Sequence, residues 1–228
     1  MQLKNKYVSN IPLIALIAAN IIPLWGVVFL GWDAFYIVLL YWSENIAVGF
    51  YNVLKMAFAG FLKPSKHLGK LFLIPFFIIH YGGFCGIHGV FVLTLFGKDD
   101  SSFMKDINWP CFLAFVQILL NVIKHAYSVM PLAMRYALAA LFVSHGVSFV
   151  CNYVMKGEYA TSKPDKLMGS PYGRVVVMHM AVLFGAFLTM ALGSPVGILI
   201  ILVGIKTYLD VVFHLRQHKK HQAKPAST

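Results

Sequence analysis

The sequence predicts an all-α membrane protein, a polytopic bundle of transmembrane helices, and three observations carry that prediction. Of 228 residues, 59% are hydrophobic and only 12% charged, with a mean hydropathy of +0.74; in a soluble domain about a quarter are charged. Several apolar stretches approach or exceed the roughly 18 to 20 residues that cross a hydrocarbon core. The lysines and arginines behind the formal charge of +11 gather in connecting segments and at the termini. That distribution flanks spans and meets anionic headgroups, so membrane lipids and not nucleic acid are the expected partners. A homo-oligomer is left open.

The elements follow in order. Span 11–30 is preceded by Lys4 and Lys6, contains Asn20 and Pro23 and shows no small-residue cleavage site, so it reads as a span and not as a signal peptide. Further spans cover 34–60, 71–97, 132–155, 174–193 and 196–214, the last two joined by Gly193-Ser194-Pro195. The segment 110–130 starts apolar, CFLAFVQILLNVI, then meets Lys124, His125 and Pro131, and Arg135 opens the next helix. As a seventh span it would strand the carboxy-terminal basic cluster outside, against the positive-inside rule. As an interfacial or re-entrant segment it leaves six spans, with both termini cytoplasmic and most basic residues inside. Six is the expected count. Residues 1–215 form one transmembrane domain and 216–228 a basic, disordered cytoplasmic tail. Cys85, Cys111 and Cys151 are odd in number and include no C-x-x-C pair, which predicts neither a disulfide frame nor a thiolate metal site.

Ionisable residues inside such spans are costly and mark function. His80, His88, His145, His179, Glu44, Asp210 and His214 all stand in apolar runs. On the second helix Tyr41, Asn45, Gly49 and Asn52 share a face, with Glu44 adjoining Tyr41; Glu44 is a carboxylate ligand or general base, or an acid hydrogen-bonded to a Tyr, Asn or His neighbour. HYGGFCGIHG sets His80 and His88 two turns apart among Gly82, Gly83, Gly86 and Gly89. Such glycine density admits a neighbouring helix or a flat cofactor. In SHGVSFVCNY, His145, Ser148 and Asn152 form a polar stripe expected to face inward, and Ser148 lacks the acid that a nucleophile-and-base mechanism needs. PYGRVVVMH carries Arg174 as a boundary anchor and His179 inside. The last span gives Lys206, Asp210 and His214 at i+4 steps, a spacing that lets Asp210 and His214 share one ion. Counted from the inner helix ends at 1.5 Å per residue, His80 and His145 fall at about 14 to 17 Å, His179 at about 8 Å, Asp210 at about 6 Å, and Glu44 and His88 at about 24 to 27 Å.

Together YWSEN at 41–45, HYGGFCGIHG at 80–89, SHGVSFVCNY at 144–153, PYGRVVVMH at 171–179 and KTYLDVVFHLRQH at 206–218 resemble a family of bacterial polytopic integral membrane proteins of unknown function. The resemblance covers most of the chain and implies a bacterial cytoplasmic (inner) membrane, with nothing about substrate. The zinc hydrolases of the alkaline ceramidase and adiponectin-receptor type offer a chemical analogy, although D-x-x-x-H stands here where they carry H-x-x-x-H.

The function these residues lead us to expect is an intramembrane metalloprotein in which His80, His145, His179 and Asp210 bind a transition metal, with His214 and His88 as further ligands. Imidazole with carboxylate suits Zn or Fe. An open position would activate water against a lipid-borne ester or amide, with Glu44 accepting the proton. The alternatives are a proton-coupled transporter that uses the same groups as a relay and a bis-His haem protein.

Overall fold

The computed structural model describes residues 29–60, 67–97 and 102–173, together with 25, 27, 175–177, 179, 180, 184, 200, 201, 203 and 204. Among these residues every regular element is helical and there is no strand. We number the α-helices α1 (Ala34–Phe58), α2 (His67–Phe91), α3 (Leu113–Val129), α4 (Leu132–Ser148), α5 (Glu158–Thr161) and α6 (Pro164–Gly169). A wider π-helical turn prolongs α2 over Val92–Phe96 and α4 over Phe149–Val154. Two compact units divide the chain, 1–34 with 183–228 and 35–182. In the first, the rings of Trp25 and Phe29 lie tilted by 34° with centroids 4.1 Å apart.

Among the described residues three helices are long and apolar enough to cross a membrane, Ala34–Phe58, Gly69–Phe96 and Leu132–Val154. They match the predicted spans 34–60, 71–97 and 132–155. Large apolar side chains on their outer surfaces, such as Leu71, Phe72 and Val143, stand exposed. In water that would be a liability; in lipid it is the expected exterior.

The buried seam of α1 is Val38, Trp42, Asn45, Gly49, Asn52 and Met56, alternating steps of four and three that keep one stripe toward a neighbouring helix. That neighbour is α2, which runs antiparallel. Phe35 packs on Gly97, Trp42 Nε1 donates to the Cys85 carbonyl at 2.8 Å, Tyr81 Oη donates to the Asn45 carbonyl at 3.0 Å, and Lys70 Nζ donates to the Ala57 carbonyl at 2.8 Å. The face predicted from Tyr41, Asn45, Gly49 and Asn52 is thus an α1–α2 contact, with Gly49 leaving room for the Tyr81 ring.

Helix α3 lies against the glycines of α2 and runs parallel to it. Gly83 meets Phe115, Gly86 meets Ile118 and Leu119, and Gly89 meets Val122. The chain therefore leaves α2 at Gly97 and starts α3 level with Gly83, roughly 20 Å back along the axis at 1.5 Å per residue. Over residues 102–112 the returning limb has one 3-10 turn, Ser102–Met104, and α3 supplies hydrogen bonds to it. Gln117 Oε1 accepts from the backbone N–H groups of Asn108 and Trp109 at 3.0 and 2.8 Å, and its Nε2 donates to the Asp106 carbonyl and Asn108 Oδ1 at 2.7 and 3.0 Å. Asn121 Nδ2 donates to the Phe103 carbonyl at 3.1 Å. Cys111, with φ of 46°, turns the limb into the helix. Helix α3, 17 residues long, lies within the segment 110–130 set apart in the sequence from the longer spans.

Helix α4 turns back after Pro131 and runs parallel to α1. Tyr51 Oη donates to the Phe142 carbonyl at 3.0 Å and Tyr153 Oη to the Lys55 carbonyl at 2.8 Å. The connection after α4 consequently sits at the α1–α2 hairpin, where Gly60 N–H reaches the Tyr159 carbonyl at 2.7 Å and Asn52 Nδ2 the Leu167 carbonyl at 3.0 Å. From there Tyr172, Val175 and His179 run up along α2 in parallel, Val175 joining Phe77, Tyr81 and Cys85 in the core.

Candidate functional site

Two polar pairs lie within the helical core, and each is assembled by helix register. His88 is buried on α2. Its Nδ1 stands 2.6 Å from the Phe84 carbonyl one turn earlier in the same helix. A carbonyl only accepts, so Nδ1 carries the proton and, in the neutral ring, Nε2 presents a lone pair. That nitrogen faces His179 Nδ1 at 2.9 Å, with the rings edge to face at 5.1 Å. His179 Nδ1 is then the donor. Beside the pair a small cavity is lined by Trp42, Asn45, Cys85, His88 and Val175.

The second pair joins α4 to α1. His145 Nε2 is 3.8 Å from Glu44 Oε1, both side chains partly buried. The His145 ring stacks on Tyr51 at 6.3 Å with the planes 26° apart. At 3.8 Å the two groups form an ion-pair contact, longer than the hydrogen bond expected of a protonated Glu44 and than direct proton transfer requires.

His80 goes elsewhere. It is exposed, stacks on Phe76 at 5.2 Å, and its Nδ1 lies 2.7 Å from Tyr172 Oη. Ser148 and Asn152 also face outward, linked at 3.3 Å and continued by Lys156 Nζ on Asn152 Oδ1 at 2.7 Å; of the predicted inward stripe only His145 turns toward a partner. Asp210, His214, Arg174 and Lys206 lie outside the described residues. Among the described residues no three His, Cys, Asp or Glu side chains are grouped to hold an ion. The sequence-predicted ligands are thus brought together as His88 with His179, while His80 and His145 are held apart from that pair by their own partners.

Depth counting did not anticipate these pairings. It set His88 about 16 to 19 Å above His179, yet their ring nitrogens touch. The reason is the stretch after α6, which is tucked along α2 so that Tyr172 is already level with His80. The helix carrying His179 starts deeper than the apolar boundary at 174 implied. Sequence reasoning also passed over Trp42, which closes the cavity beside His88; its place in the four-three seam between Val38 and Asn45 was the available signal. The space next to Gly82, Gly83, Gly86 and Gly89, open in sequence to a helix or a flat cofactor, is filled by α3 and, at Gly89, by Trp42.

A family described as a family of unknown function (DUF6498) matches residues 2–227. The chain belongs to DUF6498. No curated protein and no solved structure matches it. For this DUF6498 member the chemistry must accordingly be read from the His88–His179 and Glu44–His145 pairs themselves.

Proposed function

We propose that this DUF6498 protein is an integral membrane protein of six spans with a re-entrant α3, both termini on the cytoplasmic side of a bacterial inner membrane, that holds a transition-metal ion on His88 and His179. The observation that carries the metal reading is the fixed tautomer of His88. A metal-binding histidine typically donates its other ring N–H to a carbonyl or carboxylate, which orients the ring and raises its basicity. The 2.9 Å between the two ring nitrogens would open to about 3.3 Å, the separation of two nitrogens each ~2.0–2.1 Å from a tetrahedral Zn²⁺, and the His179 ring would carry its proton on Nε2 so that Nδ1 is free to bind. Two imidazoles suit Zn or Fe. Asp210, His214 and His80 stay as candidates for completing the set on sequence grounds. With a position open to water, the ion would serve hydrolysis of a lipid-borne ester or amide, and Glu44, paired with His145 away from that ion, stays a proton-acceptor candidate on sequence grounds alone.

Elemental analysis of protein purified without a histidine tag tests this. Stoichiometric zinc or iron is expected, lost in His88→Ala and His179→Ala and retained in His80→Ala. Protein that never contains metal overturns the reading, and a Soret band would assign haem instead. A second reading, a proton relay, is favoured by the direct imidazole–imidazole contact; metal-free protein that moves protons in liposomes would establish it.

Six spans are supported by the parallel run of α3 beside α2 and by the Gly60–Tyr159 contact, which joins the connection after α4 to the α1–α2 hairpin. A seventh span at 110–130 would send these two connections to opposite sides. Reporters fused after residue 165 should read cytoplasmic, and an external reading there would exclude the six-span topology.

A further inference from the structure

A second cavity, on the other side of the Trp42 wall that it shares with the cavity beside His88, lies where α1, α3 and α4 meet. Trp42 and Ile46 of α1, Ile123 and Ala126 of α3, and Leu138 and Phe142 of α4 enclose about 90 Å³. Its polar wall atoms are already spent: Ser43 Oγ donates to the Leu39 carbonyl at 2.8 Å, and Trp42 Nε1 to Cys85. A cavity that offers water no partner stays dry and accepts apolar guests. Tyr127 and Met130 complete the lining, and both touch one cation. Arg135 lies over the Tyr127 ring at 4.7 Å, its Nε donates to the Met130 carbonyl at 2.9 Å, and its Nη2 to the Ser128 carbonyl at 3.2 Å. These bonds aim the guanidinium at the rim and leave donors of its five-donor fork for an anion.

From this juxtaposition we infer that the α1–α3–α4 cavity takes up a short segment of an acyl chain of an anionic phospholipid whose headgroup is held by Arg135. Apolar walls select the chain, which the surrounding bilayer supplies, and the half-buried guanidinium selects the negative head. Under the six-span topology this rim lies on the outer side, where arginine is sparse, so Arg135 is not accounted for by positive-inside bias. The inference rests on residence in a membrane but not on the metal, and no residue is shared with the His88–His179 pair.

Trp42 is both a wall of the cavity and 2% exposed, which makes it the reporter. The full chain carrying W25F, W32F and W109F is reconstituted into bilayers containing brominated phosphatidylglycerol or brominated phosphatidylcholine. Bulk lipid cannot reach Trp42, so quenching requires a chain inside the cavity. Strong quenching by the glycerol lipid and little by the choline lipid is expected. Arg135→Gln should raise the lipid fraction for half-quenching by roughly tenfold, the loss of a charge-assisted contact. Filling the cavity with Ala126→Leu, or with Leu138→Phe should the first variant misfold, should abolish quenching while Arg135 stays in place. Equal quenching by both lipids, or none, overturns the inference. A companion variant that keeps only Trp109, which is 44% exposed, separates the causes: if bilayer bromines quench neither Trp109 nor Trp42, membrane residence itself has failed.

Discussion

Gly89→Ala is expected to destabilise the protein by about 2 to 3 kcal/mol, the upper range for forcing a methyl into a packed core. A Cβ at this position would lie 2.4 Å from Val122 Cγ1 and 2.6 and 2.7 Å from two atoms of the Trp42 indole. Neither neighbour has an easy retreat. Trp42 is anchored by its Nε1 hydrogen bond to the Cys85 carbonyl, and Val122 is fully buried where α3 crosses the glycine face. One methyl would thus push on α1 and α3 together. The control is Gly69→Ala on the same helix, where a Cβ meets nothing within 4 Å; alanine there should be neutral or stabilising by up to ~1 kcal/mol through helix propensity. Unfolding in mixed micelles compares the two. Equal stability of both variants would mean that α1, α2 and α3 are not packed through Gly89.

Gln117→Leu should cost about 3 kcal/mol or more and free the limb between α2 and α3. One side chain satisfies two backbone N–H groups, one carbonyl and the Asn108 side chain. The four bonds lie at the protein surface, where each contributes about 0.5 to 1.5 kcal/mol, and where the surface meets lipid no water replaces them. Gln117→Glu keeps the acceptor for Asn108 and Trp109 N–H and loses only the donor side, so its effect should be smaller. Thiol labelling of Cys111, at the turn between limb and helix, reads the result: labelling by a water-soluble reagent should be faster in the leucine variant than in the parent, with the glutamate variant between them. If all three label alike, Gln117 does not hold the segment.

Much of the architecture was legible because lipid imposes simple rules. The apolar runs at 34–60, 71–97 and 132–155 are bounded by turns and charges, and the helices end within a few residues of those bounds. Lys124, Pro131 and Arg135 signalled that 110–130 differs from its neighbours, and the parallel path of α3 is the physical form of that difference. The four-three spacing from Tyr41 to Asn52 marked a shared face, and the structure shows that Asn45 and Gly49 of that face meet Tyr81 of α2. Pairings were harder to see. Helix α2 is apolar on all sides, so periodicity cannot say that His88 turns inward and His80 outward. Depth counting presumes that each span starts at its first apolar residue, and the tucked segment 158–173 breaks that assumption. Glu44 stands one step off the α2-facing seam, which is enough to hand it to α4 and His145.

The parallel run of α2 and α3 has an electrostatic consequence. Antiparallel neighbours let their backbone dipoles cancel, whereas these two bring their carbonyl termini to the same end, adding partial negative charge there. The amino termini of α1 and α4 stand at that same end, and their positive dipole ends offset it. Arg135, bonded to the Ser128 and Met130 carbonyls, adds a full cation to that compensation, which lets two parallel helices lie side by side.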